Sequence, residues 1–124
     1  MKVIVAGSRS IQDKDYIFDC IRFSEFEITE LVSGGAIGPD MIGEEYAISK
    51  GIEIVRFKPD WDLWGRRAGM IRNEQMGDYA DALIAVWDGK SKGTKHMFRY
   101  MMKLGKEVRI HQRSLLTEIP ATLF

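Results

Sequence analysis

ALIAVW, at residues 82–87, runs directly into DGKSKGT at residues 88–94. Six consecutive apolar residues indicate a strand that is buried on both faces of a parallel sheet. Gly93 and Thr94 then open a helical pattern, in which Met97, Met101 and Leu104 recur at helical spacing. A buried strand, a glycine-containing loop and a helix, in this order, are typical of α/β folds.

The same order recurs on both sides of this stretch. Strands are predicted at 3–6, 28–32, 52–57 and 108–110, and helices at 13–23, 39–50 and 67–80, with Gly51 ending the second helix. Strands that alternate with helices imply right-handed crossovers and a doubly wound parallel sheet. We therefore expect one Rossmann-type α/β domain over residues 1–111, followed by a short irregular tail over 112–124.

Composition narrows the classes of function. The 124 residues carry 18 basic and 18 acidic side chains, so no global positive field exists, and a nucleic-acid partner is not expected. No apolar run approaches the roughly 20 residues that span a bilayer, so we expect no membrane segment. A single cysteine, Cys20, excludes an internal disulfide, which favours a reducing compartment and a cytoplasmic location.

The loop SGGAIGPD, at residues 33–40, is the clearest candidate for an anion site. Three glycines between a strand and a helix expose backbone N–H groups beside the positive end of the helix. The loop is neither a Walker motif nor the dinucleotide fingerprint, because its spacing fits neither. Asp40 could hold a ribose hydroxyl or could stabilise the start of the helix.

Two further loops follow predicted strands at the same edge of the sheet. In GSR at 7–9, Arg9 could bind a phosphate, or it could be a solvated side chain in a tight turn. In residues 87–96, Gly93 and Thr94 begin a helix with three lysines close by, although a lysine-rich surface turn would look the same. Ligands of doubly wound sheets bind beyond the carboxyl ends of the strands, where these loops lie.

The remaining polar and aromatic residues allow two interpretations. Trp61, Trp64, Arg66, Arg67, Arg72 and Asn73 could stack a base and neutralise phosphate, or form an interface between subunits. The methionines are most simply core or interface residues, and with the tryptophans they favour a homo-oligomer. His96 and His111 lack zinc-ligand spacing, and no metal or cofactor is predicted.

These motifs, taken together, resemble those of a known family. They are VIVAGSR at 3–9, VSGGA at 32–36 with Gly38 and Asp40, Arg72-Asn73, AVWDG at 85–89 and GTKH at 93–96. In this order, over residues 1–111, they resemble the YspA-like branch of the SLOG superfamily. That superfamily includes LOG-type phosphoribohydrolases and the DNA-processing protein A group, which binds single-stranded DNA. The resemblance implies a five-stranded Rossmann-like sheet of order 3-2-1-4-5, and copies of this branch are frequent in phage genomes.

One departure from the family pattern bears on catalysis. The LOG hydrolases carry a Gly-Gly-x-Gly-Thr-x-x-Glu motif whose glutamate takes part in cleaving the glycosidic bond. Here that glutamate falls on Met97, and Ser91 stands where a glycine is expected. Arg72 resembles an arginine of the LOG site, and Asp40 or Asp88 could substitute for the missing acid, so the candidate catalytic residues are Arg72, Asp88 and Asp40.

The leading hypothesis is a protein that senses or sequesters a nucleotide-derived ligand, such as a nucleotide, ADP-ribose or a cyclic nucleotide signal. Its rivals are a nucleoside 5′-monophosphate N-glycosidase and a protein that binds single-stranded DNA. The predicted ligand-binding residues are Gly7, Ser8, Arg9, Ser33, Gly34, Gly35, Ala36, Gly38, Asp40, Trp61, Arg72, Asn73, Trp87, Asp88, Gly89, Ser91, Gly93, Thr94 and Lys95.

Overall fold

The computed structural model describes residues 1–113. In chain order the elements are β1 (Lys2–Gly7), α1 (Lys14–Phe23), β2 (Glu30–Ser33), α2 (Pro39–Lys50), β3 (Glu53–Arg56), α3 (Trp61–Trp64), a 3-10 turn (Gly65–Arg67), α4 (Ala68–Tyr79), β4 (Ala82–Trp87), α5 (Lys92–Lys103) and β5 (Glu107–Gln112). The predicted alternation of strands and helices is confirmed.

The five strands form one parallel sheet of order β3-β2-β1-β4-β5, which confirms the predicted Rossmann-like topology. β1 and β4 are its central pair, in a register that sets Val3 beside Ala82 and Gly7 beside Val86. The chain winds outward from β1 in one direction and from β4 in the other. The carboxyl ends of β1 and β4 therefore meet at the topological switch point, where such sheets bind ligands.

Each face of the sheet is covered by its own hydrophobic cluster. Val3, Val5, Leu31 and Ile84 pack beneath α1 and α2, whereas the alternate strand residues pack beneath α4 and α5. The second cluster contains Met76, Met97 and Met101, all nearly inaccessible to solvent. The prediction that methionines fill the core is confirmed for these three, because unbranched side chains adapt to the space between two helices.

Local sequence cues decide several element boundaries. Asp13 caps α1 by accepting a hydrogen bond from the Tyr16 N–H, and Gly51 ends α2 in the left-handed conformation. α5 begins two residues earlier than Thr94, because Ser91 caps it. β5 extends to Gln112, one residue beyond the predicted domain boundary, while the rest of the predicted tail, from residue 114, lies outside the described residues.

α4 is anchored to the start of β5 by one lysine. The Lys106 Nζ donates to the carbonyl oxygens of Gly77, Asp78 and Ala80, at 2.7, 3.1 and 2.7 Å. The last carbonyl groups of a helix have no intrahelical partner, and a cation there also interacts favourably with the helix dipole. Lys106 therefore fixes the carboxyl end of α4 against the sheet.

Gly43 allows α2 to lie close to β1, and its replacement should be costly. A Cβ at this position would lie 2.8 and 2.9 Å from the Cβ and Cγ1 of Val5, a fully buried residue. We expect Gly43→Ala to lower the free energy of unfolding by about 2 kcal/mol, because overpacking outweighs the helix propensity of alanine. Gly93→Ala is the matched control, since a Cβ on that helical glycine would meet no atom within 4 Å. Urea denaturation checks both variants, and a Gly43→Ala protein as stable as its parent would contradict the close approach.

Candidate functional site

A cavity of about 450 Å³ opens at the switch point, beyond the ends of β1 and β4. Its lining comes from the β1–α1 loop, the start of α2, α4 and the start of α5. The lining residues are Ala6, Gly7, Ser8, Arg9, Ser10, Ala36, Asp40, Arg72, Asn73, Met76, Asp88, Ser91, Gly93, Thr94 and Met97. The cavity thus lies at the edge of the sheet that the sequence predicts. Its lining loops are distant from one another in the chain.

Asp40 and Arg72 form the polar floor of this cavity. Asp40 is only 4% exposed, and its carboxylate accepts hydrogen bonds from the backbone N–H groups of Ala36, Gly7 and Gly34. Burial raises the pKa of Asp40 to about 6, against the opposing effect of the Arg72 charge. Arg72 Nη1 donates to the Gly34 carbonyl at 2.8 Å, so α4 is tied to the loop that follows β2.

The first N–H groups of the glycine-rich loop at 33–40 already have acceptors within the protein. Asp40 takes those of Gly34 and Ala36, and the Ser33 Oγ accepts the Gly35 N–H at 3.0 Å. These donors already have acceptors within the protein, and their contact with a ligand stays a prediction. Gly35 and Gly38 have φ angles of 74° and 90°, which explains the need for glycine at both positions.

Asp88 joins the loop after β4 to the loop after β1. Its carboxylate accepts the N–H groups of Lys90 and Ser91, each at 2.8 Å, and the Ser10 hydroxyl at 3.2 Å. Its own N–H donates to the Ser8 Oγ at 3.0 Å. Partial burial raises the pKa of Asp88, but these hydrogen bonds outweigh it, and the pKa lies below its ordinary value. Asp88 is therefore an ionised, fully engaged carboxylate at neutral pH.

Positive charge faces the cavity from three directions. Arg9 and Arg72 both line it. Burial lowers the pKa of Arg72, the Asp40 carboxylate opposes this, and repulsion from the Arg9 charge lowers it further. Ser91 caps the Thr94 N–H, while the N–H groups of Lys92 and Gly93 have no acceptor within α5. An anion between Arg9, Arg72 and the start of α5 would relieve this repulsion.

The structure brings most of the predicted site residues to one place. Eleven of the nineteen line the cavity: Gly7, Ser8, Arg9, Ala36, Asp40, Arg72, Asn73, Asp88, Ser91, Gly93 and Thr94. Gly34, Gly35, Gly38 and Gly89 shape the surrounding loops without lining it. Hydrophobic periodicity and loop composition therefore predicted the edge of the sheet at which these residues gather.

Four other predicted residues lie elsewhere. Ser33 is buried and donates to Glu44 at 2.7 Å, and the Trp87 Nε1 donates to the Ser91 carbonyl at 3.0 Å while its ring packs on Phe98. Trp61, on α3, is 58% exposed and does not line the cavity. Lys95 lines a separate groove on the outer face of α5.

Four lining residues were not among those predicted: Ala6, Ser10, Met76 and Met97. Met76 follows Arg72 by four residues and so shares its helix face, which is a cue the sequence contains. Met97, only 1% exposed, stands where the LOG-type motif that this loop resembles has glutamate. The apolar floor of the cavity is thus made of two buried methionines and an alanine.

Fold and site together define a SLOG-type Rossmann domain, with a cavity at the switch point of a 3-2-1-4-5 sheet. The chain belongs to the YspA, cpYpsA-related SLOG family, whose sequence model matches residues 1–64. It is 32% identical over 114 residues to the Gene 61 protein of Mycobacterium phage D29, covering 84% of this chain and 90% of that protein. The resemblance predicted from the motifs is confirmed.

A solved structure shares the fold. DNA processing protein A (DprA) from Streptococcus pneumoniae superposes with a TM-score of 0.75 at 19% sequence identity, over 93% of this chain and 51% of that one. This chain therefore spans about half of the length of that structure. The likeness establishes the architecture of the domain.

Metal-ligand clusters and membrane helices are both absent from the part of the chain that the structure describes. Over residues 1–113, no three His, Cys, Asp or Glu side chains are grouped so that they could hold a metal ion. Within the same range no helix has the length and apolar character to cross a membrane.

Proposed function

We propose that this protein binds a nucleotide-derived ligand in the switch-point cavity and holds it by its phosphate. The observation that carries the proposal is that Arg9 and Arg72 line the same cavity as Gly93 and Thr94, at the start of α5. Two cations that line one cavity favour an anion there, and helix N-termini bind phosphate through their free N–H groups.

The rest of the cavity suits the remainder of a nucleotide. A volume of about 450 Å³ lies within the range of small-molecule sites. Ser8, Asn73 and Thr94 offer hydrogen-bonding groups for a sugar, and Met76 and Met97 offer an apolar surface for a base. Arg72 is already oriented by the Gly34 carbonyl, so little side-chain entropy is lost when a phosphate arrives.

The chemistry of the lining favours binding over cleavage. A buried methionine, Met97, stands where the LOG hydrolases resembled by this chain have their glutamate. Asp88 is ionised and accepts several hydrogen bonds, and a carboxylate in that state has no proton to give to a leaving base. The proposed role is therefore to sense or sequester a nucleotide signal, and a relationship to a phage protein fits such a role.

Calorimetry with AMP, ADP-ribose and adenosine tests the proposal. We expect both phosphorylated ligands to bind at least about tenfold more tightly than adenosine, because the positive groups act on phosphate. Gly93→Val should weaken AMP binding at least about tenfold, because Gly93 lines the cavity and valine adds bulk there, with only a small change in Tm. Gly69→Val, on α4 outside the cavity lining, is the matched control. Equal affinities for adenosine and AMP would refute phosphate binding.

A further inference from the structure

The outer face of α5 concentrates positive charge in a chain whose net charge is zero. Lys92, Lys95, Arg99 and Lys103 follow one another at helical spacing and, with His96 and Tyr100, line a groove between α5 and α4. We call this the α5 groove. From Lys92 to Lys103 the helix rises about 16 Å. The sequence of α5 contains no aspartate or glutamate.

This arrangement works against the stability of the helix. Like charges four residues apart, as in Lys95 with Arg99 and Arg99 with Lys103, repel each other. Lys92 lies in the first turn, at the positive end of the helix dipole, where a cation is unfavourable. An ordinary solvated helix face mixes both signs of charge, so a face of cations alone indicates a surface that meets an anion.

The four cations of the α5 groove are only partly offset by the two carboxylates beside them. Within residues 1–113, Lys92, Lys95, Arg99 and Lys103 form none of the ion pairs of the structure. The α4 wall presents two carboxylates, and both already face other groups. Glu74 lies 3.5 Å from the His96 Nε2, and Asp78 accepts the Tyr100 hydroxyl at 2.6 Å.

The α5 groove and the switch-point cavity are neighbours. The Asn73 side chain lines the cavity, and its Nδ2 contacts the Gly93 carbonyl at 3.2 Å and the His96 Nδ1 at 3.4 Å. Gly93 belongs to the cavity and His96 to the groove. A ligand that extends from the cavity along α5 would therefore meet one cation after another.

We propose that the protein binds the end of a single-stranded nucleic acid, with the terminal nucleotide in the switch-point cavity and the following phosphates along the α5 groove. The inference rests on the proposed function, since it places a nucleotide in that cavity. A mononucleotide would leave most of the row of cations unused, whereas a strand carries a charge at every nucleotide. A nucleotide enclosed in the cavity cannot be base-paired, so the end of the nucleic acid must be single-stranded.

The test compares a short oligonucleotide with its monomer. Fluorescence anisotropy measures the affinity for a 5′-phosphorylated oligodeoxyadenylate of about 12 nucleotides, labelled at its 3′ end. Calorimetry measures the affinity for deoxyadenosine monophosphate. The variant is Lys95→Ala/Arg99→Ala. Alanine has the highest helix propensity, so α5 should stay folded. The control, Arg22→Ala/Lys50→Ala, removes two charges from the last turns of α1 and α2, on the opposite face of the sheet.

We expect the oligonucleotide to bind the parent protein more tightly than the monomer does. The Lys95→Ala/Arg99→Ala variant should bind the oligonucleotide at least about fivefold more weakly than the parent. The slope of log K against log salt should become shallower by about 1.4, because two phosphate contacts are lost. Monomer affinity should stay within about twofold of the parent. The Arg22/Lys50 control should bind the oligonucleotide as the parent does.

Three results would overturn the inference: an oligonucleotide no tighter than its monomer, a duplex of the same length that competes equally, or poly-glutamate that competes equally. The last two would assign the groove to a duplex or to an acidic polypeptide. If the parent fails to bind the monomer, the proposed function fails. The effect of Lys95→Ala/Arg99→Ala on the oligonucleotide still decides whether a strand lies along α5.

Discussion

Replacing Arg72 with methionine should weaken the binding of AMP by about 10- to 100-fold. The substitution keeps a long apolar stem but removes a charged donor to phosphate, a loss of roughly 1.5 to 3 kcal/mol. It also removes the 2.8 Å hydrogen bond to the Gly34 carbonyl, which holds the loop after β2 in place. Calorimetry measures the affinity, and Arg66→Met, at an exposed arginine in the turn before α4, is the matched control.

The same substitution should lower the stability of the fold above pH 7. Without Arg72, the buried Asp40 carboxylate loses the positive charge that opposes its desolvation. A buried carboxylate without a nearby opposite charge is costly, so Arg72→Met should unfold at a lower urea concentration than the parent above pH 7. Because Asp40 becomes neutral when protonated, the deficit should shrink near pH 5, and Arg72→Met/Asp40→Asn should recover most of it. An Arg72→Met protein that binds AMP as the parent does would contradict the assigned role of this arginine.

Asp40 should make the protein less stable as the pH rises from about 4 to 6.5. Burial raises the pKa of Asp40 from 3.8 to about 6 in the folded state. In this pH range the unfolded chain releases the Asp40 proton first, so ionisation favours the unfolded state. The stability contributed by protonated Asp40 is fully present below the pKa of this group in the unfolded chain. It is lost as the pH rises past the pKa in the folded state. Two pKa units correspond to about 3 kcal/mol.

The measurement compares urea denaturation of the parent and of Asp40→Asn at several pH values between about 4 and 7. Asp13 and Asp88, whose pKa values are lowered, contribute stability that is lost as the pH falls, which is the opposite sign. Both proteins share those two groups, so the difference in free energy between parent and variant isolates Asp40. A difference that does not change with pH would show that Asp40 is not buried as a strained carboxylate.

The fold could be predicted because its elements carry their own local cues. Unbroken apolar runs identified β1 and β4, and the Asp13 cap and Gly51 identified the limits of α1 and α2. Such cues depend on neighbours within a few residues, so they are readable along the chain. The observed ends of β2 and β5 differ from the predicted ends by one to two residues. Pairing with adjacent strands decides these ends, and such pairing is not local in the sequence.

The site could be predicted only as far as its location. Parallel strands bring the loops after β1, β2 and β4 to one edge, and this followed from topology. The partner of each polar group did not follow, because the Asp40 carboxylate also faces Gly7 and Arg72, which lie more than 30 residues away in the chain. The cations of α5 were visible as residues, but their common groove depends on the position of α4.

Asp88 has a consequence for the speed of ligand exchange. It links the loops after β1 and β4 through Ser8, Ser10 and the N–H groups of its own turn. A cavity whose neighbouring loops are already bonded to each other is preorganised, so a ligand loses little conformational entropy when it enters. Association should then be single-phase and limited by diffusion and electrostatic attraction, and differences in affinity among ligands should appear mainly in their dissociation rates.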